Sequence, residues 1–379
     1  MLKYIQSDYI TGSKKSQGEL KNLSANLIKK DLWEYLSKSD KKIVMYGMGN
    51  GADKILDVCS RYNIEVQDFF ASDGFVRGHL FHGKRVMSYA EIKQKYGAQN
   101  IIVLLSFASS LPDVLQNIKR IDEECELYAP DVPVCGNDLF TLEFARAHKN
   151  ELERAYSLLC DDESKRIFEN VIAYKLTGKI CYLFDAESDK DEVYNSLLCA
   201  KSIRSHADLG AYNGDTIREL LKYTDKLERV IAFEPDRRSF RKLCEYCEAT
   251  PDLPQIEKLN LAAWSTDATL VFGDEGNRNS GLFAKGKTVE ISACSLDKAL
   301  NGKQVDYIKY DVEGCEKEAL EGSAITISNC APRLLVSAYH RSEDIFALPL
   351  QIHAMHPQYK LYLRRYEYIP AWDLNLICI

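Results

Sequence analysis

Two acids separated by a glycine turn are the residues here best placed to do chemistry. Asp208 ends a short apolar run, Gly210 and Gly214 follow in a turn, and a helix is expected to start at Asp215 or Thr216. A second buried-looking run, Val230 to Phe233, then delivers Glu234 at its end. A carboxylate can accept both hydroxyls of a ribose, and glycine lets backbone approach a ligand closely. Either acid alone suits the capping of the helix after it. Together, with the turn between them, they suit a small ligand carrying an amine and a ribose. Two carboxylates would repel a pyrophosphate, so the sign of charge favours S-adenosylmethionine, whose amino-acid part carries an ammonium, over a dinucleotide.

A second set lies downstream at two further strand ends, Lys309-Tyr310-Asp311-Val312-Glu313-Gly314 and Tyr339-His340-Arg341. A sugar hydroxyl is a poor nucleophile and needs a base. His340, with an ordinary pKa of about 6.5, is the first candidate. Asp311 is a candidate base, cation stabiliser or metal ligand, and Glu313 orients a partner or caps the helix starting near Cys315. The three together offer the oxygen and imidazole ligands of a divalent ion such as magnesium. No short metal motif accompanies them, so no metal is assigned. Lys309 contacts substrate or flanks the strand. Arg364 and Arg365 could grip an anionic acceptor or lie solvated on the surface.

A third pattern, Gly47-Met48-Gly49-Asn50-Gly51-Ala52, stands between a strand and a helix as a dinucleotide fingerprint does, with Asp73 about 20 residues on. Read literally, it makes an NAD-dependent oxidoreductase or epimerase. Neither a full second nucleotide half nor a catalytic Tyr-x-x-x-Lys follows, which favours a scaffold or dimerisation unit, with a homodimer as one expectation.

The elements that must position these residues alternate between strand and helix. Strands are expected at Lys42–Tyr46, Val66–Ala71 and Ile101–Ser106, and helices at Asp53–Tyr62 and Leu111–Ile121. Residues 41–135 therefore read as a small Rossmann-like α/β domain. Residues 1–40 form a helical lead, with Leu20, Leu23, Leu27 and Leu32 at helical spacing. Residues 136–200 form a helical bridge, broken at Asp161-Asp162-Glu163-Ser164. Residues 201–379 form a second α/β unit with strands at Ala207–Leu209, Val230–Phe233, Ile256–Leu261, Asp306–Tyr310, Leu334–Ala338, Lys360–Leu363 and Leu374–Cys378. The gap before the last strand is too short for a parallel crossover, so an antiparallel hairpin should close a mostly parallel sheet.

At 379 residues, more than one domain is expected. A net charge of −7 argues against a partner held by phosphate neutralisation, so no nucleic acid is expected. No apolar run reaches the roughly 20 residues of a membrane span, and the N-terminal stretch lacks a signal-peptide core, so a cytoplasmic location is expected. The 12 cysteines are scattered among apolar positions, as reduced core thiols are.

Six segments in order, D-L-G-A-Y-N-G-D-T, F-E-P-D, N-L-A-A-W-S, C-S-L-D, D-Y-I-K-Y-D-V-E-G-C-E and V-S-A-Y-H-R-S-E-D, resemble the FkbM family of S-adenosylmethionine-dependent methyltransferases. The resemblance covers about residues 194 to 379. It implies a class I methyltransferase fold, here preceded by the smaller Rossmann-like domain and the helical bridge. It places Asp208, Gly210, Ala211, Tyr212 and Gly214 around the methionine part, Glu234 and Pro235 at the ribose, and Ala263 and Trp264 beside the adenine. Tyr194 would help to close the pocket. Tyr212 and Asn213 depart from the small residues usual in such a turn. The expected reaction is O-methylation of a hydroxyl on a carbohydrate or glycosylated metabolite, a small-molecule or glycan acceptor, with Asp311, Glu313 and His340, read above from their chemistry, as the candidate catalytic residues. An NAD-dependent sugar-nucleotide enzyme and a non-catalytic binding protein are the alternatives.

Overall fold

The computed structural model describes residues 28–76, 78–273 and 288–379. The leucines at 20, 23 and 27 lie outside the described residues; the lead is represented by the short helix Leu32–Leu36, capped by Asp31.

Two open sheets share one plan. The first contains β1 (Lys42–Tyr46), β2 (Val66–Ala71), β3 (Met87–Ser88), β4 (Ile101–Leu105) and β5 (Glu126–Tyr128), in the order β3-β2-β1-β4-β5. All its pairings are parallel. Helices Asn50–Arg61 and Pro112–Glu124 cross between strands, each burying one face: Ala52, Ile55, Val58 and Cys59 in one, Leu115, Ile118 and Ile121 in the other. The edge strands β3 and β5 were not expected, because two or three residues are too few to show a period.

The second sheet contains β6 (Ser205–Leu209), β7 (Arg229–Phe233), β8 (Gln255–Leu259), β9 (Tyr307–Tyr310), β10 (Arg333–Ser337), β11 (Leu361–Arg365) and β12 (Leu374–Cys378). Its order is β8-β7-β6-β9-β10-β12-β11. The final strand slots between β10 and β11 and runs antiparallel to both, as the short connection requires. A flap outside this sheet, Ala268–Gly273 against Thr288–Cys294, was also not expected from the sequence.

Helix Asp162–Thr177 lies between the sheets. Asp161 caps it by accepting from the Ser164 N–H at 2.7 Å, and Gly178, at φ +67°, ends it. Ile167, Phe168, Val171 and Ile172 of this helix join the core under the second sheet, whereas Tyr174 joins the core of the first. Direct backbone pairing adds to this. Ser109 and Ile369 exchange hydrogen bonds of 2.9 and 3.0 Å between a loop after β4 and the β11–β12 connection. Among the described residues no helix is long and apolar enough to cross a membrane. None of the 12 cysteines is in a disulfide.

Candidate functional site

In both sheets the chain reverses direction of winding beside its first strand, which leaves a crevice at the strand C-termini, where ligands of open α/β sheets bind. In the second sheet that crevice lies between β6 and β9 and opens into a cavity of about 470 Å³. That falls within the roughly 300–1,000 Å³ of small-molecule sites.

One side is built by the turn after β6. Gly210, at φ +95°, donates to the Phe233 carbonyl at 3.0 Å, and a Cβ there would sit 1.9 Å from the Asp311 carbonyl oxygen. Only glycine fits so close a crossing. Tyr212 adopts φ +46°, and its N–H donates to Glu234 Oε2 at 2.7 Å. Glu234 Oε1 accepts from the Asp236 N–H at 2.8 Å. The carboxylate at the end of β7 is thus held in place from two sides. Burial pushes it up to about 8, against the two N–H groups that favour its charged form. Asp208 is one residue short of its strand end, opposite Lys309, and is fully buried. Neither of its oxygens has a hydrogen-bond partner, and burial raises it to about 7. A buried carboxylate left without donors is costly and rare.

The other side gathers charge around a histidine. His340 is 0% exposed. Its Nε2 lies 3.5 Å from Asp311 Oδ1 and 3.7 Å from Glu313 Oε2, and its Nδ1 lies 3.0 Å from Glu316 Oε1. Burial opposes its charged form, but Glu316, Glu313 and Asp311 outweigh this and raise it to about 10. Burial also raises Glu313, to about 7. For Asp311, burial is outweighed by Lys309, whose Nζ lies 3.1 Å from Oδ2, and by His340, so it is held below its ordinary value. Beyond these acids, Tyr339, Tyr368 and Trp372 form a row, with ring centroids of Tyr339 and Trp372 6.3 Å apart and of Tyr368 and Trp372 5.7 Å apart. Asp373 completes that wall.

The first α/β unit reaches this side too. Ser110 and Val134 line the cavity. The Cys135 N–H donates to the His340 carbonyl at 2.9 Å, and its thiol donates to the Glu313 carbonyl at 3.0 Å. Glu313 and Gly314 both have positive φ, +53° and +90°, and a Cβ on Gly314 would meet Cys135 Sγ at 2.8 Å. The turn bearing Glu313 is therefore moulded against the segment after β5.

Of the residues named from sequence, Gly210, Tyr212, Glu234, Pro235, Ala263, Asp311, Glu313 and His340 line one cavity, as do Tyr194 and Lys309. Asp208 is buried in β6 opposite Lys309 and is not among the lining residues. Three others are not among the lining residues. Ala211 packs into the core with Ile217 and Leu220. Gly214 turns against Tyr246, 2.7 Å from where its Cβ would be. The N–H of Trp264 is taken by the Cys294 carbonyl, and its own carbonyl packs on Gly322; Ala262, Ala263 and Ile291 form the wall instead. Around the ring of His340, the first candidate base, Glu316, Glu313 and Asp311 favour its charged form. The arginines do not grip an acceptor. Arg364 is buried against Asp161, at 2.6 Å, and Glu163, at 3.3 Å. Arg365 is 0% exposed and donates to the Leu183 and Tyr368 carbonyls, supporting the loop that carries Trp372.

Sequence reading missed Glu316, although it stands in the same D-V-E-G-C-E segment; only the fold shows that its side chain turns back to the Val312 N–H, at 3.0 Å. In the glycine loop of the first unit, Gly47 and Gly51 are closely packed. A Cβ on Gly47 would meet Ser106 Oγ at 2.6 Å and Phe107 at 2.7 Å, and one on Gly51 would meet the Ser106 carbonyl oxygen at 2.1 Å. These glycines serve close packing. Asp73 falls in a 3-10 turn, and its side chain lies outside the described part of the structure.

Comparison with known proteins agrees with this geometry. Residues 208–370 match the methyltransferase FkbM domain. The crystal structure of methyltransferase FkbM from Methylobacillus flagellatus KT is similar over 94% of this chain and 97% of that one, with 20% identity and a TM-score of 0.71. Weaker likenesses include an rRNA methylase from Streptococcus thermophilus, with 12% identity over 50% of this chain and 96% of that one and a TM-score of 0.35. Another is Aeropyrum pernix fibrillarin in complex with S-adenosyl-L-methionine, with 13% identity over 48% of this chain and 68% of that one and a TM-score of 0.30. No curated protein matches the chain in sequence.

Proposed function

Because residues 208–370 are an FkbM methyltransferase domain, making this chain an S-adenosylmethionine-dependent methyltransferase, we propose that it methylates a hydroxyl of a carbohydrate or glycosylated metabolite. The observation that carries this is one cavity with two unlike ends. One end has a fixed carboxylate at a strand terminus; the other has an aromatic row facing acids.

The cofactor fits the first end. Glu234 would accept its ribose hydroxyls, Asp208 supplies negative charge beneath its ammonium, and Ala262, Ala263 and Ile291 offer an apolar wall for its adenine. When bound, the cofactor supplies a methyl group activated by a positive sulfur. The chain's own residues bring the acceptor oxygen into line and take its proton. The bound donor would give up its methyl group to that oxygen, and Glu313 would take the hydroxyl proton. A carboxylate with a pKa of about 7 is well matched to that task. His340, held charged by Glu316 and Asp311, keeps the carboxylates oriented.

Flat aromatic faces suit the C–H faces of a sugar ring, and Asp311, Glu313 and Asp373 accept from its hydroxyls. With Arg364 and Arg365 engaged elsewhere, this wall favours a neutral sugar over a phosphorylated one. The test pairs a mass-spectrometric screen of neutral glycosides and sugar nucleotides for the gain of one methylene with the variant Glu313→Gln. S-adenosylhomocysteine affinity should stay within threefold in the variant while turnover on the identified acceptor falls about 100-fold. Full turnover by Glu313→Gln would remove Glu313 from the proton's path, and exclusive methylation of phosphorylated sugars would overturn the neutral-acceptor reading.

A further inference from the structure

We propose that Lys190 binds the carboxylate of the cofactor's amino-acid tail. The inference rests on the methyl-transfer reading and adds to it a residue of the helical bridge, outside the stretch that matches the FkbM domain.

The first observation is charge. S-adenosylmethionine brings one carboxylate into a cavity rich in acids. Asp215, Glu219, Asp236 and Asp373 line it besides the acids at its two ends. A carboxylate entering such a field is repelled unless a cation meets it. Among the described residues the cationic groups of the lining are Lys190, Lys309 and His340. Two of them are engaged. Lys309 Nζ lies 3.1 Å from Asp311 Oδ2, and the His340 ring is faced by Asp311, Glu313 and Glu316. Lys190 is in no ion pair among the described residues; its ammonium stands over the Tyr366 ring, 4.7 Å from the centroid. Burial raises Asp373, and Lys190 is first among the charges that pull it back. The two share a wall without pairing.

The second observation is how the segment around Lys190 is held. Asp189 accepts from the Asp191 N–H at 2.8 Å and so starts a short helical turn at Lys190. The Ser188 N–H donates to the Arg365 carbonyl at 2.8 Å, which ties the segment to the end of β11. Asp191 Oδ1 accepts from the Tyr223 hydroxyl at 2.6 Å, and Tyr194 stacks on Tyr223 with ring centroids 4.4 Å apart. Tyr223 follows the helix Asp215–Leu220, whose Thr216 and Glu219 line the cavity just after the Gly210 to Gly214 turn. Lys190 is thereby held on the wall next to the turn expected to carry the amino-acid tail. In that tail the ammonium and the carboxylate stem from one carbon. A site that draws the first with its acids must meet the second close by. A lysine does so through a charge-assisted hydrogen bond, roughly twice as strong as a neutral one, on a flexible stem.

The test is calorimetry on the full chain with two ligands, S-adenosylmethionine and its decarboxylated analogue, which keeps the sulfonium and the ammonium. The wild type should bind S-adenosylmethionine at least about tenfold more tightly than the analogue. In Lys190→Met that preference should fall to about threefold or less, through weaker S-adenosylmethionine binding at unchanged affinity for the analogue. Lys190→Arg should keep most of it. An equal preference in the wild type and Lys190→Met overturns the assignment. So does an equal loss for both ligands, which would report a damaged wall. S-adenosylmethionine binding by the wild type separates the two levels. Where it is present and the preference survives the substitution, only the role of Lys190 falls; where it is absent, the methyl-transfer reading falls with it.

Discussion

The two sheets of this chain can be laid over each other residue by residue at their switch points. The N–H of Gly47 donates to Phe70 and that of Gly210 to Phe233; the N–H of Ser106 donates to Tyr46 and that of Asp311 to Leu209. In this register Asp208 corresponds to Met45, Glu234 to Ala71 and Val312 to Phe107. The second sheet puts two carboxylates and an open crevice where the first puts two apolar side chains and an aromatic ring. Phe107 meets Tyr46 edge to face at 4.8 Å, and Tyr46 stacks on Phe70 at 4.6 Å. A glycine turn after a first strand is thus a backbone device that both units need. A site arises only where the strand ends beside it carry charge and the neighbouring loop leaves room.

Three substitutions test the comparison. Glu234→Ala makes the second crevice resemble the first and removes the anchor of the Tyr212 and Asp236 N–H groups. We expect S-adenosylhomocysteine affinity to fall about 100-fold, or about 3 kcal/mol, by calorimetry; a change below threefold would mean that the carboxylate serves only the loop. Phe107→Ala empties the ring from the first crevice. It should cost about 2 kcal/mol in chemical denaturation, since the ring is only partly buried, and leave S-adenosylhomocysteine affinity unchanged. Equal loss of affinity would show that the first unit is not a passive wall.

The smallest effect is expected from Asp208→Asn. Folded Asp208 binds its proton up to about pH 7, whereas an unfolded aspartate releases it near pH 4 (about 3.9). The stability it lends is therefore complete below that lower value and lost as pH rises through about 7. Lys309 keeps Asp311 as its partner in the variant. At pH 8 the variant should melt about 2–4 °C higher than the wild type, and the difference should shrink steadily as pH falls from about 7 toward about 4. A lower melting temperature at pH 8 would show that the buried charge stabilises the fold.

Much of this was legible in the chain itself. The strands Lys42–Tyr46, Val66–Ala71 and Leu374–Cys378 lie where apolar runs between turn residues put them. Asp311, Glu313 and His340 meet because each follows a central strand, a relation the alternation of elements already contains. What stayed hidden depends on side-chain direction and on contacts distant in sequence. Trp264 and Ala263 are neighbours in the chain, and no period says which one faces a ligand. Arg364 gave no sign that its partner would be Asp161, a helix cap in the bridge. Glu316 looked like one more acid of a helix start until the turn at Glu313 and Gly314 folded it under His340.

The pairing of Ser109 with Ile369, together with the grip of Cys135 on the Glu313 turn, has a consequence for how such a protein can diversify. On the proposed assignment, the wall that would face the acceptor draws on loops far apart in the gene, whereas the residues that would hold the cofactor all lie in the second half. A crossover between the halves would inherit donor chemistry intact and scramble acceptor choice. Grafting the second half alone onto another protein would transplant a methyl donor site with one wall missing. Altering selectivity calls for paired changes at Ser110 or Val134 and at Tyr368 or Trp372, made in the same variant.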